Sequence, residues 1–421
     1  MNTVVQVAIV GAGQAGLSVS YLLKERGISH CLLERNRVGH TWREERWDTF
    51  CLVTPNWQCR LPGHAYDGED PQGFMLKHEI VAYLERYVER FNPPVREGVE
   101  VRSVRPNADR PGFVLETSEG RVFAEEVVIA AGGYHTPRVP DYAARLPQDI
   151  VQVHSAAYRN PQQLPEGDVL VVGTGQSGAQ IAEDLHLTGR RVHLCVGNAP
   201  RCARRYRGKD VVEWLELMGH YDQAIHEHPH PDQVREKTNH YVTGRAGGHD
   251  LDLRQFAKEG MRLYGPLRGV DGSELVFAPE LTRNLDSADA VYVGINRAID
   301  EYIAKHGIDA ETGEAYVPPW EPGPEQERLD FQAAGIKSIV WSTGFDSNWG
   351  FIECPVFDDS GHPSHLRGVT AVEGLYFIGL PWLHTWGSGR FASVGRDAEH
   401  LVEIMQRRLA AHAGTAQLAA S

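Results

Sequence analysis

The feature that most constrains this chain is a strand–glycine turn–helix pattern that occurs twice. The apolar run at residues 4–10 leads into Gly11-Ala12-Gly13-Gln14-Ala15-Gly16, and a helix-like stretch follows. The same order returns after residues 169–172, where Gly173-Thr174-Gly175-Gln176-Ser177-Gly178 precedes a second helical stretch. Near-continuous apolar runs of this length are typical of parallel strands that are buried on both faces. A repeat this long indicates two homologous α/β units rather than a solenoid.

Each glycine of such a turn has its own role. The first permits the tight turn, the second lets the backbone approach a pyrophosphate, and the third lets the helix pack closely on the strand. The N-terminus of the helix adds unpaired amide groups and a partial positive charge. Glycine turns also occur for purely structural reasons, but here each turn has the right strand before it and the right helix after it. The sequence therefore predicts two dinucleotide sites.

The residues that follow the second strand of each unit differ. Glu34 ends this strand in the first unit, 18 positions after Gly16, where a carboxylate can accept both ribose hydroxyls of FAD or NAD. The run at residues 192–196 has no acid after it, and Arg201, Arg204 and Arg205 follow. Because guanidinium groups suit a 2′-phosphate, we favour NADPH at the second site, with these arginines as ligands. A solvated loop is the alternative for some of them.

The two units together predict the fold class. It is α/β, with two Rossmann-like, doubly wound dinucleotide-binding domains and the second inserted into the first. The FAD-binding domain is predicted to use residues 1–150 and 335–412, because further buried runs occur near residues 339–344 and 375–379. The NADPH-binding domain is predicted at residues 151–334, with a helical elaboration at about 205–330.

Composition excludes several other classes. The net charge of −14 argues against a general binder of nucleic acid or anionic membranes, and the hydrophobic fraction of 42% is that of an ordinary globular protein. No apolar run approaches the roughly 18 residues that a membrane helix needs. The first residues lead directly into a strand, so we expect no signal peptide and a cytoplasmic protein.

The six cysteines form no CxxC or CxxxxC pair. Cys51 and Cys59 are too far apart in sequence for the redox pair of a disulfide reductase, and so are Cys195 and Cys202. The segment His226-Glu227-His228-Pro229-His230 could suggest a metal site, but its prolines and alternating spacing favour a solvated loop. We therefore predict no metal.

Five further segments give the chain a family likeness. These are Gly39-His40-Thr41-Trp42-Arg43, Ala131-Gly132-Gly133, the second glycine turn, Ser342-Thr343-Gly344-Phe345 and Gly374-Leu375-Tyr376-Phe377-Ile378-Gly379. In their order and spacing, from residue 4 to about 405, the chain resembles the two-domain flavoprotein monooxygenases, including the flavin-containing and YUCCA-like enzymes. The resemblance implies FAD and NADPH as cofactors. It also implies a C4a-peroxide of the flavin that transfers one oxygen atom to a soft nucleophile, most often nitrogen.

Other segments are similar to a bacterial subfamily of flavin-dependent oxidoreductases that is often encoded beside nitrilase genes. They are Arg46-Trp47-Asp48, Thr54-Pro55-Asn56-Trp57-Gln58-Cys59, Lys237-Thr238-Asn239-His240-Tyr241 and the stretch at residues 380–389. This similarity implies a small, nitrogen-containing substrate. His240 and Tyr241 are candidate substrate contacts.

The resemblance assigns cofactor contacts residue by residue. The predicted cofactor-binding residues are Gly11, Gly13, Gln14, Ala15, Gly16, Glu34, Arg35, His40, Thr41, Trp42, Arg43, Val101, Ala131, Gly132, Gly379 and Leu380, together with Gly173, Gly175, Gln176, Ser177, Gly178, Arg201, Arg204, Arg205, Thr343 and Gly344. Asn56 and His384 are the candidate catalytic residues, although a structural role is equally open for His384. A helix beginning near Gly389 or Arg390 is expected to face the flavin.

Departures from the family pattern keep other reactions open. His40 replaces a glycine, and Leu380 stands where many flavoproteins have an aspartate. An NAD(P)H-dependent flavin dehydrogenase, an oxidase or an imine reductase on the same scaffold is the main alternative, and a flavin-bound sensor is another. The expected partners are a small-molecule substrate and molecular oxygen. The oligomeric state stays open, with a homodimer as one option.

Overall fold

The computed structural model describes residues 3–236 and 238–419, and a twisted sheet near the N-terminus is its first unit. Five strands of this sheet run parallel to one another, and two antiparallel strands extend it on one side. In spatial order the strands are Val95–Glu97, His30–Glu34, Thr3–Val10, Gly120–Ile129, Phe113–Thr117 and Val101–Pro106, and Leu375–Phe377 pairs with Gly120–Ile129. Val7, Ala8 and Ile9 are fully buried, as their uninterrupted apolar run predicts.

A second sheet of five parallel strands forms the other unit. In spatial order its strands are Val151–His154, Ile336–Trp341, Asp168–Val172, Val192–Cys195 and Arg262–Tyr264. The strand Ile336–Trp341 therefore lies inside this sheet, although the predicted domain limits place it at the start of the second FAD-domain segment. This strand pairs with strands of the second unit on both sides. The chain therefore returns to the first sheet only after Trp341.

Shorter strands connect these two sheets and cover them. The remaining pairings are Leu267–Asp271 with Glu274–Phe277 and Arg328–Asp330, Arg205–Tyr206 with Lys209–Asp210, Arg60–Leu61 with His64–Ala65, and Thr136–Pro137 with Phe345–Asp346. The last ribbon joins the two places where the chain crosses between the sheets. The backbone amide of Arg138 donates to the Gly344 carbonyl there at 3.0 Å.

Helices cover the faces of both sheets. They are Gln14–Glu25, His40–Glu44, Lys77–Phe91, Gln176–Leu187, Val211–Leu217, Pro231–Glu236, Leu253–Lys258, Leu281–His306 and Val394–Ala419. The expectation of a helix beginning near Gly389 or Arg390 is wrong, since residues 388–393 form turns and the last helix begins at Val394. Among the described residues, no helix is both long and apolar enough to cross a membrane.

A buried carboxylate ties the segment after the first unit to the second unit. Asp184 lies on the helix Gln176–Leu187 and accepts hydrogen bonds from Tyr158 at 2.8 Å and from Thr49 at 2.6 Å. Arg245 pairs with the same carboxylate at 2.8 Å.

The predicted α/β fold with two Rossmann-like units, the second inserted into the first, is confirmed.

Candidate active site at the two glycine turns

The first glycine turn, residues 11–16, has the geometry of a pyrophosphate site. Gly11 has a φ of 103°, and a Cβ built on it would lie 2.6 Å from the Ala130 carbonyl oxygen. A Cβ on Gly16 would lie 2.0 Å from the Gly11 carbonyl oxygen, so the helix packs directly on the turn. By contrast, a Cβ on Gly13 would meet no atom within 4 Å. The second glycine therefore leaves open the space that a phosphate group needs at a helix N-terminus.

The second turn, residues 173–178, repeats this geometry. Gly173 has a φ of 100°, and its Cβ would lie 2.6 Å from the Ser342 carbonyl oxygen. A Cβ on Gly178 would lie 1.9 Å from the Gly173 carbonyl oxygen, whereas one on Gly175 would meet only the Thr238 methyl, at 3.7 Å. Ser177 lies half-buried in the first turn of the helix that follows. The same three positions are closed, open and closed in both turns.

Glu34 stands where the first turn meets the second strand of its unit. One carboxylate oxygen accepts the backbone N–H of Ala12 at 2.9 Å, and the other accepts that of Asn36 at 2.9 Å. The carboxylate is therefore fixed at the end of the strand, and the residue is only half-buried, so a ligand can reach it. This position suits a residue that accepts ribose hydroxyls.

The chain returns to the first turn through residues 379–390, here called the return segment. A Cβ on Gly379 would lie 2.8 Å from the Cβ of Ala15, and the side-chain amide of Gln14 donates to the Gly389 carbonyl at 3.0 Å. Leu380 is buried and approaches Gly133 on the neighbouring crossing. The return segment thus lies against Gln14 and Ala15, which are far from it in sequence.

Trp42 closes this group from the side of helix His40–Glu44. Its indole N–H donates to the Gln14 side chain at 3.3 Å, and its ring stacks on Phe391 with centroids 5.6 Å apart. Arg43 instead points away, because it pairs with Glu85 at 2.8 Å. His40 is half-buried and Thr41 is exposed on the same helix.

The other residues predicted to contact FAD lie around the same sheet edge. Ala131 is exposed and Gly132 is half-buried directly after the strand Gly120–Ile129. Arg35 is exposed after Glu34. Val101 begins the strand Val101–Pro106 and is half-buried. The contact with Glu34 is made two residues earlier, where the backbone amide of Val99 donates to the Glu34 carbonyl at 2.9 Å.

The second site has further contacts that hold it in place. The side-chain amide of Gln176 donates to the Val242 carbonyl, and Gly197 donates to the Thr174 hydroxyl at 2.9 Å. Thr343 and Gly344 lie on the crossing that leads back to the first sheet. The Thr343 hydroxyl donates to the Arg138 carbonyl there.

The arginines predicted to hold a 2′-phosphate do not act as a group. Arg201 is only 2% exposed, pairs with Asp289 at 2.7 Å, and lies between two tyrosine rings. Arg204 is 1% exposed and pairs with Asp210. Both guanidinium groups are neutralised inside the protein, so neither is available to a phosphate. Arg205 is exposed, and its guanidinium donates a hydrogen bond to the Gly247 carbonyl at 3.2 Å.

Asn56 is occupied by the backbone of a neighbouring loop. Its side-chain NH₂ donates to the Asp70 carbonyl at 2.9 Å, and its side-chain oxygen accepts the Met75 N–H at 2.7 Å. The residue is buried, and both polar ends of its amide are used. This arrangement favours a structural role over the predicted catalytic one.

His384 lies in the return segment but faces away from the first turn. Together with His226, His365 and His400 it lines a surface cavity of about 690 Å³ beside the last helix. Burial lowers the pKa of His384 below its usual value. Its side chain is therefore grouped with other histidines rather than with the glycine turns.

Sequence reasoning assigned no role to the side chain of Arg390, although Trp386 was a candidate pocket residue. The guanidinium of Arg390 lies 3.8 Å from the centre of the Trp386 ring and donates to the side-chain oxygen of Asn239 at 3.0 Å. Trp386 donates to the same oxygen at 3.1 Å. Lys237, from the segment at residues 237–241 that also contains Asn239, lies outside the described residues. The only signal in the sequence was the subfamily likeness of the segments that contain Trp386 and Asn239.

Thiol chemistry finds little support in the geometry. All six cysteines are free and buried. Burial raises the pKa of Cys51 to about 11 and that of Cys59 to about 12, which keeps both thiols protonated and unreactive. Within residues 3–236 and 238–419, no group of three or more His, Cys, Asp or Glu side chains is placed to hold a metal.

Comparisons with known proteins identify the family of this chain. The family model described as pyridine nucleotide-disulphide oxidoreductase matches residues 8–256. An uncharacterised CzcO-like oxidoreductase from Geobacillus kaustophilus is 33% identical over 96% of this chain and 98% of its own. The indole-3-pyruvate monooxygenase YUCCA1 of Oryza sativa is 32% identical over 45% of this chain and 47% of its own.

Solved structures show the same fold. A flavin-containing monooxygenase from Stenotrophomonas maltophilia covers 97% of this chain and 99% of its own, with a TM-score of 0.65 and 18% identity. An oxidised steroid monooxygenase bound to NADP covers 97% of this chain and 85% of its own, with a TM-score of 0.55 and 17% identity. The two units, their inserted order and the full-length relatives lead to one conclusion. This chain is an oxidoreductase that belongs to the pyridine nucleotide-disulphide oxidoreductase family.

Proposed function

We propose that this protein is an FAD- and NADPH-dependent flavoprotein monooxygenase that acts on a small, nitrogen-containing substrate. The observation that carries the proposal is the matched geometry of the two turns. In each turn the second glycine faces open space, and the third packs on the carbonyl of the first. Two open turns in one chain suit a flavin and a separate hydride donor. The flavin-containing and YUCCA-type monooxygenases among the relatives support the choice of reaction.

The residues of the first site fit FAD. Gly13 leaves room for the pyrophosphate, Glu34 is placed for the ribose, and the return segment passes the turn at Gly379 and Gly389. Held by these residues, FAD would supply the redox chemistry that links NADPH to oxygen. The chain's own residues position the cofactors and exclude water. Trp42, stacked on Phe391 and bonded to Gln14, covers the turn from outside and contributes to that exclusion.

The second site fits a nicotinamide dinucleotide. Gly175 is open toward Thr238, and the helix Gln176–Leu187 directs its N-terminus at the same space. The exposed Arg205 is the remaining predicted ligand for a 2′-phosphate, because Arg201 and Arg204 are neutralised inside the protein.

A second function is an NADPH-dependent flavin oxidase or dehydrogenase on the same scaffold. The specific observation in its favour is Asn56. The family resemblance suggests an asparagine beside the reactive flavin carbon, and the amide of Asn56 is instead occupied by Asp70 and Met75. An oxidase would need the two turns but no group that prolongs the life of an oxygenated flavin.

Rapid mixing separates the two functions. The purified, FAD-loaded protein is reduced with NADPH without oxygen, and oxygen is then admitted while the flavin spectrum is followed. We expect reduction by NADPH and then a transient that absorbs to the blue of oxidised flavin and lasts for seconds. Direct return to the oxidised spectrum, with and without candidate amines, would favour the oxidase. Failure of NADPH to reduce the flavin would contradict both functions.

A further inference from the structure

A partly buried positive charge lies between the two glycine turns. Arg390 follows Gly389, whose carbonyl accepts the amide of Gln14 at the first turn. Its guanidinium reaches across to Asn239, which follows Thr238, the residue whose methyl faces Gly175 of the second turn. The charge therefore lies where groups from both units meet, beside the end of the return segment.

Arg390 differs in its partners from the arginines that are fully buried. Arg201, Arg204 and Arg254 each pair with at least one carboxylate. Among the side chains that the structure describes, no carboxylate lies within ion-pair distance of Arg390, and its one hydrogen-bond acceptor there is the uncharged amide oxygen of Asn239. A guanidinium has five N–H donors, so most of them are left without a protein acceptor. Burial lowers the pKa of Arg390, which reflects the cost of holding this charge away from water.

Two acidic side chains on the segment around Tyr221 are already paired. Glu216 binds Arg60 at 2.8 Å, and Asp222 binds Arg396. The nearby histidines add no negative charge. Burial, together with the charges of His220 and Arg390, lowers the pKa of His240 to about 4, so this ring is neutral at physiological pH.

Aromatic rings form the wall next to the guanidinium. Trp386 lies against Arg390, with its ring centre 4.9 Å from that of Tyr221 and 5.4 Å from that of His220. The contacts with Trp386 and Asn239 hold the guanidinium in place, and its other N–H groups donate to no side chain that the structure describes. A fixed guanidinium edge beside apolar rings is suited to a planar anion attached to an apolar body, and a carboxylate matches that edge with two parallel hydrogen bonds.

We propose that Arg390 binds a carboxylate of the substrate, so that the substrate class is small organic acids with an apolar body. Trp386 orients the guanidinium, and Asn239 holds it from the second unit. The inference rests on the proposed function, because it takes the space between the two turns as the substrate site. It deepens that function by adding a carboxylate to the substrate.

A phosphate of NADPH is the other anion with suitable chemistry. The pyrophosphate has its own site at the second turn, and the 2′-phosphate is expected at the end of the strand Val192–Cys195. Arg390 belongs instead to the return segment, which contacts the first turn through Gly389. The position therefore favours the substrate over NADPH, and the test below includes both.

The test is a binding titration that needs no turnover. The FAD-loaded protein in its oxidised state is titrated with phenylacetate, 3-phenylpropionate and hexanoate, each compared with its neutral amide, while the flavin absorbance is followed. We expect at least one acid to bind about tenfold or more tightly than its amide. The Arg390→Gln variant should lose that preference, and Arg390→Lys should recover part of it. The control is Arg396→Gln, which removes a neighbouring exposed arginine that is paired with Asp222.

The outcomes separate this inference from the proposed function. If no acid binds more tightly than its amide, or if Arg390→Gln keeps the preference, the inference is wrong even where NADPH reduces the flavin normally. If Arg390→Gln weakens NADPH binding as much as acid binding, the charge serves the nicotinamide cofactor and the inference is also wrong. FAD content and thermal unfolding of each variant show whether it is folded. Because the titration uses oxidised flavin, acid binding can be established even if the oxygen-transfer proposal fails.

Discussion

The side-chain amide of Gln14 donates to the carbonyl of Gly389 at 3.0 Å, joining residues that are 375 positions apart. Gln14 begins the helix after the first glycine turn, and its oxygen accepts the indole N–H of Trp42. One side chain thus holds the return segment and the Trp42 helix against the same turn. The FAD site that we propose therefore includes the C-terminal part of the chain as well as the first unit.

Replacing Gln14 with methionine keeps a similar volume but removes both hydrogen bonds. We expect FAD to dissociate about tenfold more readily, because the return segment loses its attachment to the turn. Release of FAD measured by its fluorescence on dilution checks this. Gln176→Met, at the equivalent place in the second turn, should leave FAD binding unchanged. Equal FAD loss in the two variants would show that the effect is general destabilisation.

Gly175→Ala tests the second nucleotide site. The added methyl has room in the protein, since only the Thr238 methyl lies near, at 3.7 Å. It would occupy the space through which a pyrophosphate approaches, so we expect the Kd of NADPH to rise about tenfold or more with FAD content unchanged. Anaerobic reduction of the flavin at increasing NADPH measures it. Gly294→Ala in the helix Leu281–His306, where a Cβ meets no atom within 4 Å, is the control and should stabilise the protein by about 1 kcal/mol.

Arg205 and Arg201 are expected to behave differently when replaced by alanine. Arg205→Ala should raise the Kd of NADPH about tenfold and leave that of NADH unchanged, because an exposed guanidinium can reach a 2′-phosphate. Arg201→Ala leaves Asp289 with a buried charge that has lost one partner, and should lower the free energy of unfolding by about 3–5 kcal/mol. Nucleotide titrations and urea unfolding of both variants measure these effects. No change in NADPH affinity for Arg205→Ala would place the 2′-phosphate elsewhere.

Asn56→Ala should act on stability more than on chemistry. Losing its bonds to Asp70 and Met75 leaves buried backbone groups without partners, and we expect a cost of about 2–3 kcal/mol in the free energy of unfolding. Asn56→Asp keeps the acceptor for the Met75 N–H and should cost less. Urea unfolding and the rate of flavin reoxidation are measured on the same samples. A stable variant with altered reoxidation would restore the catalytic interpretation.

A histidine that lines the cavity beside the last helix should make the stability of the fold sensitive to acid. Burial lowers the pKa of His365 from its usual 6.5 to about 4, and its ring nitrogen accepts the Gly368 N–H at 3.3 Å. Because the folded state disfavours the proton, the contribution of this group is present above pH 6.5 and is lost as pH falls toward 4. We expect about 1–2 kcal/mol after allowance for solvent screening.

Urea unfolding at pH 7.5 and at pH 5 measures this loss for the parent protein, for His365→Ala and for His362→Ala. His365→Ala should show a smaller difference between the two pH values. The exposed His362 serves as the control, and its variant should show the parent's difference. An unchanged difference for His365→Ala would assign the acid sensitivity to another group.

Local patterns in the sequence predict the parts of the fold that depend on neighbours along the chain. Both glycine turns have their expected geometry, because the steric demands on Gly11 and Gly16 arise from the strand and helix beside them. The class of the fold follows from the same units. The end of the chain was less predictable, since nothing local distinguishes the turns after Gly389 from a first helical turn, and the helix begins only at Val394.

Other features depend on partners that are distant in sequence. The apolar run at 339–341 could belong to either sheet, and only the strands Val151–His154 and Asp168–Val172 decide its place. Arg201 was expected at a phosphate because the sequence does not show that Tyr292 and Tyr316 enclose it. Burial and charge pairing are properties of the assembled core, and they decide which of several similar arginines stays available.

The ribbon of Thr136–Pro137 and Phe345–Asp346 has a mechanical consequence. The chain passes from the first sheet to the second at one of these strands and returns at the other, and the two are paired and cross-linked by Arg138 and Asp346 at 2.6 Å. The two crossings therefore connect the nucleotide units as one two-stranded ribbon, which couples a bend at one crossing to a bend at the other.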